Sequence, residues 1–273
     1  MSWTAEAKHD AVLRAVLGAH LPRPGLTVIE RPGWYQVITP SSVTAMNNEV
    51  ILSAIPSDEV ERVIDETIAG YRAHGAAFKW CVGPWSAPDD LGERLSRRGF
   101  RSWAVRGMAC EPAAIAIAVP ADVTTELVTE ASLVPHVAAV VRGWAHPASD
   151  VDFLLGAHRE RLRSGESALF NAWCRGELVG TAGFLRKPDG SAYMAGAQVF
   201  DAHRGRGVYR ALLEARLARL RELGISLATT HAREQTSAPI LERLGFETVF
   251  RYRVHQLDPA RGSDFASPST SAV

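Results

Sequence analysis

The stretch most able to do chemistry runs VFDAHRGRGVYRALLE, from Val199 to Glu214. A strand-like run enters Arg204-Gly205-Arg206-Gly207, and an amphipathic helix begins at once. Two glycines at such a turn permit backbone conformations closed to other residues and let a ligand approach closely. The first N–H groups of a helix have no partner inside it and sit at the positive end of its dipole. A diphosphate placed there would satisfy them, and Arg204 and Arg206 would add charge and forked donors. The run is not a P-loop, because no Gly-Lys-Ser/Thr follows. Nor is it the dinucleotide-binding fingerprint, because Arg210 stands where a third glycine would be needed. A solvated basic turn joining strand to helix is the bland alternative.

The flanking elements have to position this loop. Tyr193 to Phe200 reads as the incoming strand. Val208 to Leu223 reads as a helix with Leu213, Leu217 and Leu220 on one stripe. A strand from Ile225 to His231 follows, then a short helix from Ser237 that stops at Gly245-Phe246, then the run ETVFRYRVHQL. Upstream come helices at Leu133 to Trp144 and Asp150 to Arg163, a hairpin pattern from Ala168 to Arg186, and the turn Lys187-Pro188-Asp189-Gly190. The fold class is therefore α/β (α+β), a mixed, mostly antiparallel sheet flanked by helices.

The same order recurs earlier. A helix ending at Gly75 is followed by a strand, by Ser86-Ala87-Pro88, by a helix closing on Gly99-Phe100, and by the strand-like run RSWAVRGMAC. The later copy has Gly224, Ser237-Ala238-Pro239, Gly245-Phe246 and ETVFRYRVHQL. Ser or Pro at a helix start and Gly past its end are common punctuation, but the matching order points to a diverged duplication. The expected units are residues 1–118, residues 122–258 and a disordered tail at 259–273 rich in Ser, Ala and Pro. Between the units, Ala113 to Val119 is a short strand or a linker packed on the interface.

Composition removes several classes of function. The chain has 273 residues with 30 basic and 30 acidic side chains, so it carries no net field favouring nucleic acid or an anionic membrane. No apolar run approaches a membrane span. The start MSWTAEAKHD lacks a secretory pattern, which predicts the cytoplasm. Cys81, Cys110 and Cys174 are odd in number and widely spaced, which fits reduced thiols and no metal site.

Taken together, the loop, the helix ALLEARLARLRELG and the closing ILERLGF resemble the GCN5-related N-acetyltransferase (GNAT) superfamily over about Val123 to Leu257. The family signature Q/R-x-x-G-x-G/A reads here as Arg204-x-x-Gly207-x-Tyr209, with Tyr209 where a small residue is usual. The resemblance implies acetyl-CoA as co-substrate, without a metal. Its diphosphate would lie on the backbone of Gly205, Arg206, Gly207, Val208 and Tyr209, with charge from Arg204. Ala197, Gln198 and Val199 would pair with the pantetheine arm, and Ser237 would close the site. Gly207 would have to be small because its backbone faces the diphosphate.

The first half resembles a degenerate copy of the same fold. Its loop reads SAIPSDEVERVI, and Asp58 and Glu59 at a helix start would repel a phosphate. That half would shape the acceptor pocket or a homodimer.

The family's usual acid, a Tyr in the last helix, is replaced by Leu241, and the strand before the loop carries no carboxylate. His231 as a base and Tyr193 as an acid or pocket wall are the catalytic candidates. Gln198 could donate to an oxyanion, and His203 would assist CoA. Glu234 reads as solvated. Trp144 and Phe153, with His146 and His158 nearby, belong to helices that would cover the acceptor. The function implied is transfer of an acetyl group to a small amine. The rival is a non-catalytic acyl-CoA sensor or interaction module.

Overall fold

The computed structural model describes residues 3–259; the expected tail falls outside these apart from Pro259. The first half contains α1 (Ala5–Arg14), β1 (Thr27–Arg31), β2 (Trp34–Ile38), β3 (Glu49–Ser53), α2 (Val60–Ala73), β4 (Phe78–Val82), α3 (Leu91–Arg97) and β5 (Arg101–Cys110). The second contains β6 (Val123–Leu127), α4 (Leu133–Gly143), α5 (Val151–Ser164), β7 (Ser167–Cys174), β8 (Glu177–Arg186), β9 (Ala192–Val199), α6 (Val208–Glu222), β10 (Ala228–Arg233), α7 (Ser237–Arg243) and β11 (Glu247–Leu257). The hydrophobic stripe predicted for α6 is its buried face: Leu213, Leu217 and Leu220 are inaccessible to solvent.

All eleven strands join one sheet in the order β1-β2-β3-β4-β11-β5-β10-β9-β8-β7-β6. Pairing is antiparallel except at β3–β4 and β9–β10. Helices cover both faces. One face carries α2, α3, α6 and α7 over cores built on Trp80 and Leu91 in the first half and on Met194 and Leu212 in the second. The opposite face carries α1, α4 and α5. The segment between α1 and β1 is fastened to α5 and the β8–β9 turn by Arg161 Nη2 donating to Ala19 O and His20 O, and by Lys187 Nζ donating to Leu17 O.

The repeat is visible in the element order, but its halves are not separable units. After α3, β5 crosses to pair with β10; after α7, β11 crosses to pair with β4. Each half is completed by the other's last strand, and the two exchanged strands pair with each other at the centre. The expected division at residues 118–122 thus cuts the chain at a linker but not the sheet. That linker contains no strand: a single 3-10 turn at Pro112–Ala114 leads into extended chain whose Ile115 and Ile117 are buried against α6.

Candidate active site

The site begins where two parallel strands part. β9 and β10 pair only at Ala192–Ala228 and Tyr193–Thr229. Past that point β9 takes a bulge: Gly196 has φ +65°, and the register with β8 slips between Thr181 and Gly183. An extra residue with a left-handed glycine bends a strand away from its neighbour. Beyond Tyr193 the link across the gap is Thr230 Oγ1 donating to Met194 O at 3.0 Å.

The gap opens into a cavity of about 240 Å³ whose walls include residues from both faces of the sheet. Tyr193, His231, Arg233 and Trp144 line it on the α1, α4 and α5 side. Tyr209, Arg216, Ser237 and Leu241 line it on the α6 and α7 side. Side chains alternate along a strand, so His231 and Arg233 point one way while Thr230 and Ala232 point the other. The opening therefore passes through the sheet.

Several expected residues meet here. Gly207 caps α6 with φ +77° and no side-chain cap, leaving the first helical N–H groups to the solvent side. Tyr209, the second residue of α6, faces the cavity, and Ser237 Oγ accepts from Arg233 N–H at 3.1 Å. Ala197 lines the cavity as well. Others do not meet here. Gln198 is buried and donates from Nε2 to Ala139 O (3.0 Å) and Thr181 Oγ1 (2.9 Å), which fastens α4 to the sheet and withholds that amide from an oxyanion. Val199 and Val208 are core side chains. Arg204, Gly205 and Arg206 are exposed on the loop, and Arg204 is ion-paired with Asp201 at 2.7 Å.

The reason expected for Gly207 needs correcting. A Cβ there would fall 2.4 Å from Cγ of Pro120, so the linker ring and the left-handed backbone already require glycine. A substitution at Gly207 would damage the fold whatever binds.

His231 is also corrected. Nε2 lies 2.8 Å from Val12 O, a pure acceptor, so Nε2 carries the proton; Nδ1 then accepts from Tyr252 O–H at 2.8 Å. Burial holds the imidazole below its ordinary value, so it is neutral and its lone pair is occupied. It ties α1 and β11 to β10 and has no free nitrogen to serve as a base. Tyr193, edge-on to His231 with ring centroids 5.9 Å apart, is held protonated by burial.

Glu234, expected to be solvated, is clamped by Arg106, whose Nε donates to Oε2 at 2.8 Å. His146 lies 3.5 Å from Asp150, Phe153 packs under the Arg23 guanidinium at 4.3 Å, and His203 lies 3.5 Å from Glu177.

Two cavity residues escaped sequence reasoning. Arg216 is fully buried on α6 and, among the described residues, has no carboxylate partner; its Nε donates to Leu212 O at 3.2 Å, and the Tyr209 phenol interacts with its charge. Burial pushes the Tyr209 pKa up, and Arg216 opposes that rise. The signal was present: Tyr209 and Arg216 are seven residues apart, two turns of one helix face. Arg233 is the second, half-buried at the end of β10.

A family model described as the Acetyltransferase (GNAT) family matches residues 137–246. The chain carries a GNAT-family domain. The loop, the parted strands and the through-sheet cavity all lie within or beside that match. Among solved structures, a GCN5-related N-acetyltransferase from Kribbella flavida aligns over 96% of this chain and 98% of its own, with TM-score 0.63 and 18% identity. A GCN5-related N-acetyltransferase from Sphaerobacter thermophilus aligns over 96% and 94%, with TM-score 0.61 and 18% identity. A tandem GNAT protein from the clavulanic acid biosynthesis pathway aligns over 93% and 95%, with TM-score 0.56 and 16% identity. At these identities the likeness is one of fold, and it extends over both halves of the chain. No curated protein sequence is a significant match. No helix among the described residues is long and apolar enough to cross a membrane.

Proposed function

We propose that the GNAT domain transfers an acetyl group from acetyl-CoA to a small amine, and that the chain binds one CoA, in its second half. The observation that carries this reading is the cavity through the sheet at the β9–β10 gap, with a glycine-started helix at one mouth. The residues fit the co-substrate. The uncapped N-terminus of α6 suits a diphosphate, the unpaired edge of β9 at Ala195 to Ala197 suits a pantetheine amide, and the buried Arg216 guanidinium lacks a counter-charge. An uncompensated buried charge is costly, so an anionic partner on that face relieves it. CoA supplies the activated thioester.

The chain's own groups then divide the work. Tyr209 stands on the donor face beside Leu241, the position that lacks the family's hydroxyl, and we assign it the proton returned to the thiolate. Arg216 stabilises the phenolate that this leaves. On the acceptor face Tyr193 and Trp144 form the wall, and His231 holds that wall in place. Among the described residues no carboxylate lines the cavity, and we assign the amine's proton to water.

The test is thiol release across an amine panel with Tyr209→Phe beside the parent. The variant should lose at least about tenfold in kcat, the low side of general-acid contributions, with KM for CoA little changed. An unchanged kcat would reduce Tyr209 to a wall. A second reading, a non-catalytic acyl-CoA sensor, is favoured by the bulk of Tyr209 where a small residue is usual; CoA binding without thiol release from any amine would establish it.

A further inference from the structure

We propose that the acceptor carries an anionic group of carboxylate type and that Arg233 receives it; this rests on the amine-acyltransfer reading above. Among the described residues the cavity has one guanidinium without a paired carboxylate on each face of the sheet, Arg216 and Arg233. Arg216 faces the donor side, where the phosphate-bearing co-substrate answers it. Arg233 faces the other side, where nothing yet does.

The surroundings of Arg233 make the point by contrast. Its guanidinium carbon lies 5.1 Å from the centre of the Trp103 ring, a cation–π contact that supplies no hydrogen-bond acceptor for its N–H groups. Among the described residues no carboxylate pairs with it, and Arg101, the charge that acts on it, has the same sign. Carboxylates nearby are committed elsewhere. Glu234, the next residue, points to the opposite face and holds Arg106. Asp258 pairs with Arg101. The other half-buried or buried arginines on this face are answered: Arg23 by Asp150 at 2.7 Å, Arg161 by two backbone carbonyls.

A half-buried guanidinium beside a cavity is a receptor for a planar anion, because two parallel N–H donors match one carboxylate. The aromatic rings of Trp144 and Tyr193 share that mouth and suit an apolar body between the anion and the amine. The chemistry points to an amino carboxylate with a hydrophobic side chain, not a polyamine.

Matched sets test this: phenylalanine, phenylalaninamide and 2-phenylethylamine, then leucine, leucinamide and isoamylamine. Each is assayed with acetyl-CoA by thiol release. The parent should favour the carboxylate member over its amide by at least tenfold in kcat/KM. Arg233→Gln should bring that ratio close to one, Arg233→Lys should restore part of it, and CoA affinity by calorimetry reports that the fold persists. Equal rates on carboxylate and amide in the parent, or an unaltered ratio in Arg233→Gln, would overturn the proposal. If no amine releases thiol, acyl transfer itself has failed, and the same sets are read by thermal shift with CoA present. A carboxylate-dependent shift abolished by Arg233→Gln then supports the receptor; no such shift, or one that survives the substitution, overturns it.

Discussion

The two halves solve the same gap in opposite ways. In the second half, β9 bends away from β10 at Gly196 and leaves a cavity that crosses the sheet. In the first half, β3 and β4 part at the same stage, but the gap is closed. Ala87 N–H donates to Ser53 O and Ile55 N–H to Ala87 O, both at 3.0 Å, and Trp80 Nε1 reaches across to Ser53 Oγ at 3.0 Å. Trp34 packs edge-on against Trp80 with ring centroids 5.7 Å apart. One half leaves the gap open as a cavity; the other fills it with an indole and turns it into core. A cavity costs stability wherever its lining lacks contacts, so closing the gap favours the fold of the first half.

That contrast can be broken most directly by copying the plug. Thr230 spans the open gap much as Trp80 spans the closed one. Thr230→Trp should abolish CoA binding, on the order of a 100-fold loss or more, since a pocket needs its volume. Calorimetry should show one CoA per parent chain and none for the variant. A parent stoichiometry near two would mean that the first half keeps a site of its own.

A finer test concerns charge at the two loops. Arg204→Ala should weaken CoA by about 1–3 kcal/mol, the range for hydrogen bonds to charged groups, and toward the lower end because Asp201 already holds part of that charge. The paired change Pro56→Ala with Asp58→Ala at the equivalent loop should leave CoA affinity where it was.

The smallest effect concerns acid stability. Two histidines are buried as neutral rings: burial holds His158 on α5 down to about 3 and His255 on β11 down to about 4. Both values lie below the ordinary 6.5, so the unfolded chain binds these protons first. Their contribution is complete above about 6.5 and is lost as pH falls toward 4 and then 3. The drop in Tm between pH 7.5 and 5 should shrink in His158→Gln and again in His255→Gln. An undiminished drop in both would place the acid sensitivity elsewhere.

Much of this was legible in the chain itself. Glycines, a leucine stripe and cap residues act over a few neighbours, so the Arg204–Gly207 loop, α6 and the repeated order of elements could be read from local pattern. The strand exchange could not, because ETVFRYRVHQL has the same alternation whichever strand it meets. Tyr252 therefore gave no sign of reaching His231, and His231 passed for a base. Arg216 and Arg233 went unremarked in the sequence, because their burial is a property of the assembled sheet and the seven-residue spacing of Tyr209 and Arg216 gains meaning only once that face is known to be buried. Gly207 was legible as an indispensable glycine, but its neighbour Pro120 lies 87 positions away in sequence.

The exchange of β5 and β11 also sets an order on biosynthesis. The edge of β4 has no native partner until Glu247–Leu257 has been made, near the end of the chain. Until then a nascent first half offers that edge to its own β5, the strand that in the finished protein belongs beside β10. Long-range pairing of this kind is slow, and open edges invite wrong partners. A chain stopped before residue 247 would lose more than one strand of its second half: it would leave the first half unfinished, with an adhesive edge and a competing strand at hand.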